Sequence, residues 1–191
     1  GGDVIEAAAS IKQIIFDKTG TLTIGRPLVV DYSSTDQSDK MLQLAASLEE
    51  NSRHPIAHAI LQKAQSKGIS LLKTETSKTF PGKGIEGKLE NNDGIIRVGT
   101  PEWMKGEGVE FNSQNFDEKI AKYSKEGHSI VAVSQNKVLL GLIIIDDFLR
   151  KDADIALQRL RKSGFILNML SGDRSESVKR LGQRLGFNSN E

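Results

Sequence analysis

Short apolar runs that end in small polar residues lie near both ends of this chain. Residues 11–16 are mostly apolar, which is typical of a short buried strand, and Asp17 follows them directly. Residues 165–170 have the same pattern and lead into Ser-Gly-Asp. Helices are predicted at residues 150–163 and 175–185. The two ends therefore predict strand–loop–helix pieces of a parallel α/β sheet.

The middle of the chain has a different pattern, in which helices are followed by paired strands. Apolar positions at helical spacing predict helices at residues 39–50 and 55–67, and the second begins with proline and ends before glycine. Residues 71–100 predict strands separated by turns, with the hairpin signal Asn-Asp-Gly at residues 92–94. The other predicted elements are a strand at 28–34, helices at 101–105 and 116–126, and a hairpin of strands 129–134 and 137–145 around residues 135 and 136.

These two patterns predict an insertion. End segments that are distant in sequence can form one domain when the middle is inserted into it. We therefore predict an α/β fold in which residues 1–27 and 146–191 form one domain. Residues 28–145 are predicted to form an inserted α+β domain, with an antiparallel sheet flanked by helices.

The composition excludes several classes of protein. The chain has 191 residues, 37% of them hydrophobic and 27% charged, with a net charge of +1 and no cysteine. A disulfide framework and a thiolate metal site are therefore excluded, and no strong attraction to nucleic acid is implied. The longest apolar run, residues 138–145, is far shorter than the roughly 20 residues that cross a bilayer. Since the first residues also lack a secretory signal, we expect a soluble, monomeric chain with no nucleic-acid partner.

Two aspartates after predicted strands are the first candidates for chemistry. Asp17 follows the first strand and Asp173 follows the last. Because ligands of parallel sheets bind just beyond the carboxyl ends of the strands, these carboxylates predict a site for Mg²⁺ or phosphate. A carboxylate can also attack phosphorus and form an aspartyl-phosphate.

The residues after Asp17 suit a phosphoryl group. Lys18 supplies a positive charge, and Thr19 and Thr21 supply hydroxyl groups. Gly20 allows backbone N–H groups to approach phosphoryl oxygens closely. The alternative is a strand that simply ends in a polar, glycine-containing turn.

The string DKTGTLT at residues 17–23 matches, letter for letter, the phosphorylation motif of the P-type ATPases, and the chain resembles that family. The resemblance implies that ATP phosphorylates Asp17, with Lys18 as part of the same catalytic motif. It implies that Thr19 and Thr21 hold the phosphoryl group. It also implies that the Asp17 carboxylate and the Thr19 carbonyl bind Mg²⁺.

One position of this motif distinguishes a pump from a phosphatase. In the wider haloacid-dehalogenase-like superfamily a second acidic residue usually lies two places after the nucleophile, and here that place is Thr19. A hydroxyl group cannot activate water as a carboxylate does. The sequence therefore favours a phosphoenzyme that persists over the alternative, a soluble phosphohydrolase of the same superfamily.

A second motif indicates the heavy-metal branch and a site for adenine. The string SRHP at residues 52–55 resembles the SEHP motif of the heavy-metal-transporting P-type ATPases, with Arg53 in place of glutamate. The resemblance implies that His54 contacts adenine, although a capping or surface role remains the alternative. The family glutamate five residues earlier corresponds to Glu49, which can accept hydrogen bonds from the adenine amino group. Glu50 is a possible competitor, and the spacing favours Glu49.

The other histidine of this region, His58, lies one turn further along the predicted helix. It has no counterpart in the family, and we expect it to be a surface residue.

A glycine-rich stretch, PGKGIEG at residues 81–87, contains G-x-G-x-x-G. A dinucleotide fingerprint should open a helix, whereas a strand and a turn follow here, so that interpretation is wrong in this context. The stretch resembles instead the GxG loop of the heavy-metal branch, which implies that Gly82 and Gly84 let the backbone lie close to the nucleotide. A plain glycine-rich turn between strands is the alternative.

The string VGTPEW at residues 98–103 resembles the family pattern GN-x-x-W. Gly99 and Trp103 match, so Gly99 is a predicted nucleotide-binding residue and Trp103 a predicted packing residue. Thr100 replaces the usual asparagine, which weakens any side-chain contact assigned to that position.

The last motifs belong to the second part of the phosphorylation domain. Asp147 and Arg150 match the family pattern D-x-x-R, for which a helix start with a salt bridge is the alternative. Ser171-Gly172-Asp173 resembles the TGD motif with serine for threonine. The resemblance implies that Gly172 and Asp173 lie near the nucleotide phosphates and Mg²⁺.

The resemblance covers essentially all 191 residues. It implies a partial haloacid-dehalogenase-like (Rossmann-like) phosphorylation domain with an inserted nucleotide-binding domain. We expect a fragment of an ATP-driven heavy-metal pump, most consistent with copper, that uses ATP and Mg²⁺. The actuator and membrane domains would belong to the parent protein, which would lie in a membrane with this region on the cytosolic or stromal side.

The same resemblance leads us to expect limited activity of the chain as given. The family lysine that contacts phosphate after TGD, and the GDGxND loop, do not occur in these residues. We therefore expect a fragment that binds nucleotide but does not sustain ATP turnover. A nucleotide-binding module without further activity is the corresponding alternative.

Overall fold

The computed structural model describes residues 13–17, 27–111, 115–146 and 153–170. Within these ranges the helices are α1 (Ser38–Glu49), α2 (Pro55–Ser66), α3 (Pro101–Gly106), α4 (Phe116–Lys125) and α5 (Ala153–Lys162). The strands are β1 (Gln13–Asp17), β2 (Leu28–Ser34), β3 (Thr74–Phe80), β4 (Gly84–Leu89), β5 (Ile96–Gly99), β6 (Ser129–Gln135), β7 (Val138–Asp146) and β8 (Ile166–Leu170).

The six strands from β2 to β7 form one antiparallel sheet. Its spatial order is β2-β7-β6-β5-β4-β3, so the first and last of these strands in the chain, β2 and β7, are neighbours. Leu28 is paired with Asp146 at their shared end. The predicted antiparallel sheet flanked by helices is therefore confirmed.

Helices cover both faces of this sheet. On one face α1 and α2 pack their apolar side chains, including several alanines that permit close approach, against β2, β4, β5 and β7. On the other face the shorter α3 and α4 pack around a smaller apolar cluster that contains Trp103 and Phe116. The sheet thus separates two apolar clusters, because successive side chains of each strand point to opposite faces.

Turn chemistry accounts for the β6–β7 hairpin. The sequence predicted a turn around Gln135 and Asn136, whereas Gln135 still pairs with Val138, so the two turn residues are Asn136 and Lys137. Asn136 has a positive φ of 53°, which asparagine tolerates at low cost. Its Oδ1 accepts a hydrogen bond from the backbone N–H of Ile95 at 3.0 Å, which ties this turn to the β4–β5 connection.

The second sheet consists of the two parallel strands β1 and β8, in the register Gln13↔Ile166 to Asp17↔Leu170. Parallel pairing of the two sequence-distant ends is what the strand–loop–helix pattern predicted. Asp17 is the last residue of β1 and not the first residue of the loop. The predicted helix at residues 175–185 lies outside the described residues.

None of the helices in the described ranges is long and apolar enough to span a bilayer.

Candidate functional site

A cavity of about 260 Å³ lies at one end of the six-stranded sheet, where strand β6 extends beyond strand β5. Strand β5 ends at Gly99, which pairs with Ala132, whereas β6 begins three residues earlier, at Ser129. The cavity is lined by the first residues of β6 and by the adjoining ends of β4 and β5. The α1–α2 connection, the β3–β4 turn and α4 complete its wall.

The wall of the cavity is largely apolar and draws on both sides of the sheet. Its apolar lining residues, apart from glycines, are Ile56, Phe80, Pro81, Ile85, Val98, Pro101, Ile120, Ile130 and Val131. Ile85, Val98 and Val131 belong to the cluster under α1 and α2, whereas Phe80, Ile120 and Ile130 pack on the cluster under α3 and α4. An apolar slot with few polar groups is typical of a site for a flat organic ring.

Glu49 is the buried acidic residue of the cavity wall, whereas Glu102, which also lines the cavity, is exposed. Glu49 is the last residue of α1, it lines the cavity, and it is only 9% exposed. Burial disfavours its charged form and raises the pKa of its carboxyl from 4.5 to about 7, which a hydrogen bond with Ser52 opposes. Glu50 is exposed and lies outside the cavity lining. Of these two neighbours, the cavity is therefore lined by Glu49, the residue that the motif spacing favours for the contact with adenine.

His54 is a helix cap that also lines the cavity. It is the N-cap of α2, where its Nδ1 accepts a hydrogen bond from the backbone N–H of Ile56 at 3.2 Å, and it also lines the cavity. Because Nδ1 accepts, the neutral ring carries its proton on Nε2 and can donate from that atom. Its own backbone N–H donates to Ser52 Oγ at 3.2 Å, so Ser52 links His54 to Glu49.

The glycines of the predicted nucleotide loop differ in what requires them. At Gly84 a Cβ atom would lie 2.2 Å from the carbonyl oxygen of Val98 and 2.8 Å from the Trp103 ring. At Gly99 a Cβ atom would lie 2.7 Å from the same ring. Gly82 has a φ of +71° and no atom within 4 Å of an added Cβ. Gly84 and Gly99 are therefore required by packing, and Gly82 is the glycine that leaves space.

Trp103 and Thr100 both have structural roles. The Trp103 side chain is buried beside Phe80, at 5.3 Å between ring centroids, and is not part of the cavity lining. Thr100 is the N-cap of α3, and its Oγ1 accepts a hydrogen bond from the backbone N–H of Trp103 at 3.2 Å. Threonine in place of the family asparagine thus supplies a helix cap at the edge of the cavity.

His128 is a cavity residue that the sequence did not single out. Its Nδ1 lies 3.6 Å from Glu126 Oε2 and its Nε2 lies 3.9 Å from Asp146 Oδ2, and its side chain is 17% exposed. Its ring meets Tyr123 edge-on at 5.6 Å. The only sequence signal was a histidine between a helix-ending glycine and an apolar strand. Ile120 and Ser124 of α4 line the same side and were missed as well.

The phosphorylation motif is described only at its first residue. Asp17 pairs with Leu170, so the carboxyl ends of β1 and β8 lie side by side. The other predicted residues of this site lie outside the described residues, and their assignments stay predictions; they are Lys18, Thr19, Thr21, Gly172 and Asp173, together with Asp147 and Arg150. In the described ranges, no three acidic or histidine side chains are grouped as a metal site would require.

Comparison with known proteins gives the family. The sequence model of the haloacid dehalogenase-like hydrolases matches residues 11–190, and the chain belongs to that family. It is 33% identical, over 99% of its length, to a copper-exporting P-type ATPase of Staphylococcus aureus (strain bovine RF122 / ET3-1). The chain spans only 23% of that relative. The predicted resemblance to heavy-metal P-type ATPases is thereby confirmed.

Solved structures give the same relationship. The catalytic domain of the CPx-ATPase CopB-B, studied upon nucleotide binding, is 30% identical with a TM-score of 0.67, over 99% of this chain and 64% of that one. A zinc-transporting PIB-type ATPase is 30% identical with a TM-score of 0.64, over 98% of this chain and 30% of that one. The N-domain of HMA6, a copper-transporting P-type ATPase, is 27% identical with a TM-score of 0.51, over 63% of this chain and 99% of that one.

The buried Glu49 predicts a pH-dependent stability. Its pKa is about 7 in the folded chain and 4.5 is its ordinary value, so the folded state binds the proton more tightly. Stability should therefore fall as pH rises from about 4.5 through 7, by at most about 3 kcal/mol. Glu49→Gln should be more stable than the wild type at about pH 8, and this difference should vanish toward about pH 5.

Urea unfolding followed by the fluorescence of Trp103, the only tryptophan, measures this difference. Glu50→Gln removes the same charge from an exposed neighbour and should show no pH-dependent gain. A gain for Glu49→Gln that is equal at both pH values would contradict the burial of an ionisable carboxyl.

The glycine packing predicts that two substitutions in one loop have unequal costs. Gly84→Ala places a methyl group against backbone and indole atoms and should destabilise the fold by about 3 kcal/mol. Gly82→Ala meets no atoms and should cost only the strain of its positive φ, about 1 kcal/mol. Thermal unfolding of both variants checks this, and equal losses would show that Gly84 is not confined by Trp103.

Proposed function

We propose that this chain is the nucleotide-binding part, with a portion of the phosphorylation domain, of an ATP-driven heavy-metal pump whose transported ion is copper. The observation that supports this most is the convergence of Glu49, His54 and the glycine loop on one apolar cavity. These residues lie in separate stretches of the sequence, and each matches a position of the heavy-metal-transporting P-type ATPases.

In this proposal the cavity holds the adenine ring of ATP. The apolar wall accepts the faces of the ring, and the Glu49 carboxylate accepts a hydrogen bond from its amino group. His54 donates from Nε2, since Nδ1 is engaged by the helix cap. The buried Glu49 carboxyl and the capping His54 imidazole lie at the two ends of the short α1–α2 connection, which fixes their positions relative to each other.

The phosphates of ATP are assigned to the β3–β4 turn and its surroundings. Lys83 lies in this turn, lines the cavity and is exposed, so its ammonium group is available for a phosphate. Gly82 leaves space beside it for the close approach of an anion. Gly84 and Gly99 pack against the Trp103 ring and thereby hold the adjoining turn in place.

Asp17 is the proposed nucleophile. A carboxylate oxygen of Asp17 forms a bond to the γ-phosphorus while the bond between that phosphorus and the bridging oxygen breaks, and ADP leaves. Lys18 balances the phosphoryl charge, and Thr19 and Thr21 hold the phosphoryl oxygens. Gly172 and Asp173 would lie near the same phosphates.

The residues assigned to Mg²⁺ fit that ion. The Asp17 carboxylate and the Thr19 carbonyl are hard oxygen donors of the kind Mg²⁺ prefers, and Asp17 lies at the carboxyl edge of two paired parallel strands. When bound, the ion would neutralise part of the charge on the transferred group.

The transported ion and the membrane location are inferred from the proteins that this chain resembles. A copper-exporting P-type ATPase and a zinc-transporting one are about equally similar to it. The motifs of this chain resemble those of copper pumps more than those of zinc pumps, which favours copper. The parent protein is proposed to lie in a membrane, with this part on the cytosolic or stromal side beside its actuator domain. The alternative of a soluble phosphohydrolase is disfavoured by Thr19 at the position of the second carboxylate.

The dual role of His54 allows a variant that separates binding from folding. Asparagine is among the best N-cap residues but lacks the Nε2 donor. His54→Asn should therefore leave stability unchanged and weaken Mg·ATP binding about three- to tenfold. Calorimetric titration and thermal unfolding of the 191-residue chain measure the two effects.

His58→Asn is the matched control, since His58 is exposed on α2 and lies outside the cavity lining. It should change neither quantity. Unchanged ATP affinity in His54→Asn would reject His54 as a ligand, and the absence of ATP-induced amide shifts at Glu49 and Gly82 would reject the site as a whole.

The nucleophile is tested in the full-length pump. Asp17→Asn should abolish acid-stable labelling from γ-³²P-ATP, because a carboxamide does not form the acyl phosphate. ATP affinity should stay the same, since Asp17 lies on a different sheet from the cavity. Labelling that survives in this variant would assign the phosphorylation to another residue.

A further inference from the structure

The Glu49 carboxyl is buried in the cavity wall without a cationic partner. It is 9% exposed, and in the described part of the chain its side chain interacts with Ser52 but forms no salt bridge. A buried carboxyl without a counter-charge has a strong tendency to remain protonated. This arrangement differs from that of Arg97, a buried arginine whose Nε lies 2.9 Å from Glu86 Oε2.

Among the described residues, no charged neighbour is a cause of the raised pKa of Glu49, which comes from burial and is opposed by the hydrogen bond with Ser52. On its own helix Asp39 bonds Tyr32 and Lys40 bonds Gln43, both near the other end. The other charged or titratable groups on the packed elements and the cavity wall are Glu50 and Arg53 of the α1–α2 connection, His58 and Lys63 of α2 with Lys67 at its C-cap, Asp31 and Tyr32 of β2, Glu75 and Lys78 of β3, Glu86 and Lys88 of β4, Arg97 of β5, Asp146 of β7, and His54, Lys83, Glu102 and His128 of the cavity lining.

We propose that the protonation state of Glu49 sets the purine preference of the cavity: the carboxylate favours a 6-amino purine over a 6-oxo purine, and the carboxylic acid accepts both. This proposal rests on the proposed function, in which Glu49 faces the 6-position of the base. It adds a specificity rule to that site, and this rule depends on pH.

Hydrogen-bond chemistry gives the reason. A carboxylate only accepts, so it pairs with the amino group of adenine and repels the O6 oxygen of hypoxanthine or guanine. A carboxylic acid has one O–H that can donate to O6 and a carbonyl oxygen that can accept from an amino group. In a buried site an unmatched polar contact is not relieved by water, which is why such a site discriminates strongly.

The geometry places this change of state near neutral pH. Because burial raises the pKa of Glu49 to about 7, the acid predominates below that value and the carboxylate above it. The affinity for ATP should therefore change little on this account. The affinity for inosine triphosphate, its 6-oxo counterpart, should fall as pH rises through about 7.

The test is the ratio of the ATP and ITP affinities of the 191-residue chain, measured by calorimetry at about pH 6 and about pH 8. The two nucleotides carry the same ribose and triphosphate. Ionisation of the phosphates and binding of Mg²⁺ therefore cancel in the ratio. The preference for ATP should increase about tenfold between the two pH values.

Two variants isolate the carboxyl group. Glu49→Gln keeps the shape, offers a donor and an acceptor at every pH, and should give a ratio that does not change with pH. Glu50→Gln removes the exposed neighbouring charge and should reproduce the pH dependence of the wild type.

The outcomes are distinguishable. A wild-type ratio that is constant or falls with pH, or a pH dependence that persists in Glu49→Gln, overturns the specificity rule while leaving ATP binding in place. If neither nucleotide causes amide shifts at Glu49 and Gly82 at either pH, the proposed function itself fails, and this inference fails with it.

Discussion

The close contact between two glycines and one tryptophan is the constraint on which the candidate site depends. Gly84 and Gly99 are paired across β4 and β5, and the Trp103 ring lies against both. No side chain fits there, so the two strands end in bare backbone just where the cavity begins. Trp103 thus shapes the site without lining it, because its ring packs against the two glycines that adjoin the β3–β4 turn.

The electrostatic character of the cavity follows from where it lies. It opens between the two apolar clusters of the sheet, so a polar group on its inner wall is partly removed from water. Glu49 shows this most clearly, since its altered pKa comes first from burial and not from a neighbouring charge. His54 avoids the same cost by remaining exposed and by using one nitrogen for the helix cap.

Much of the fold could be predicted from the sequence, because its elements have clear local signals such as Pro55 at a helix start. Glu49 could be chosen over Glu50 by motif spacing alone. His128 could not, since hydrophobic periodicity shows that β6 is buried but not that β5 stops short of it. The packing role of Gly84 was hidden for a similar reason, because it depends on a ring from another element, Trp103.

The pairing of Leu28 with Asp146 has a consequence for how the six-stranded sheet can move and be exchanged. The sheet begins and ends at two residues that face each other, at the roughly 5 Å spacing of an antiparallel pair. The first and the last residue of the sheet therefore lie side by side, on two adjacent strands. A unit attached in this way can swing as one body, and a loop of a few residues can close the gap if the unit is removed.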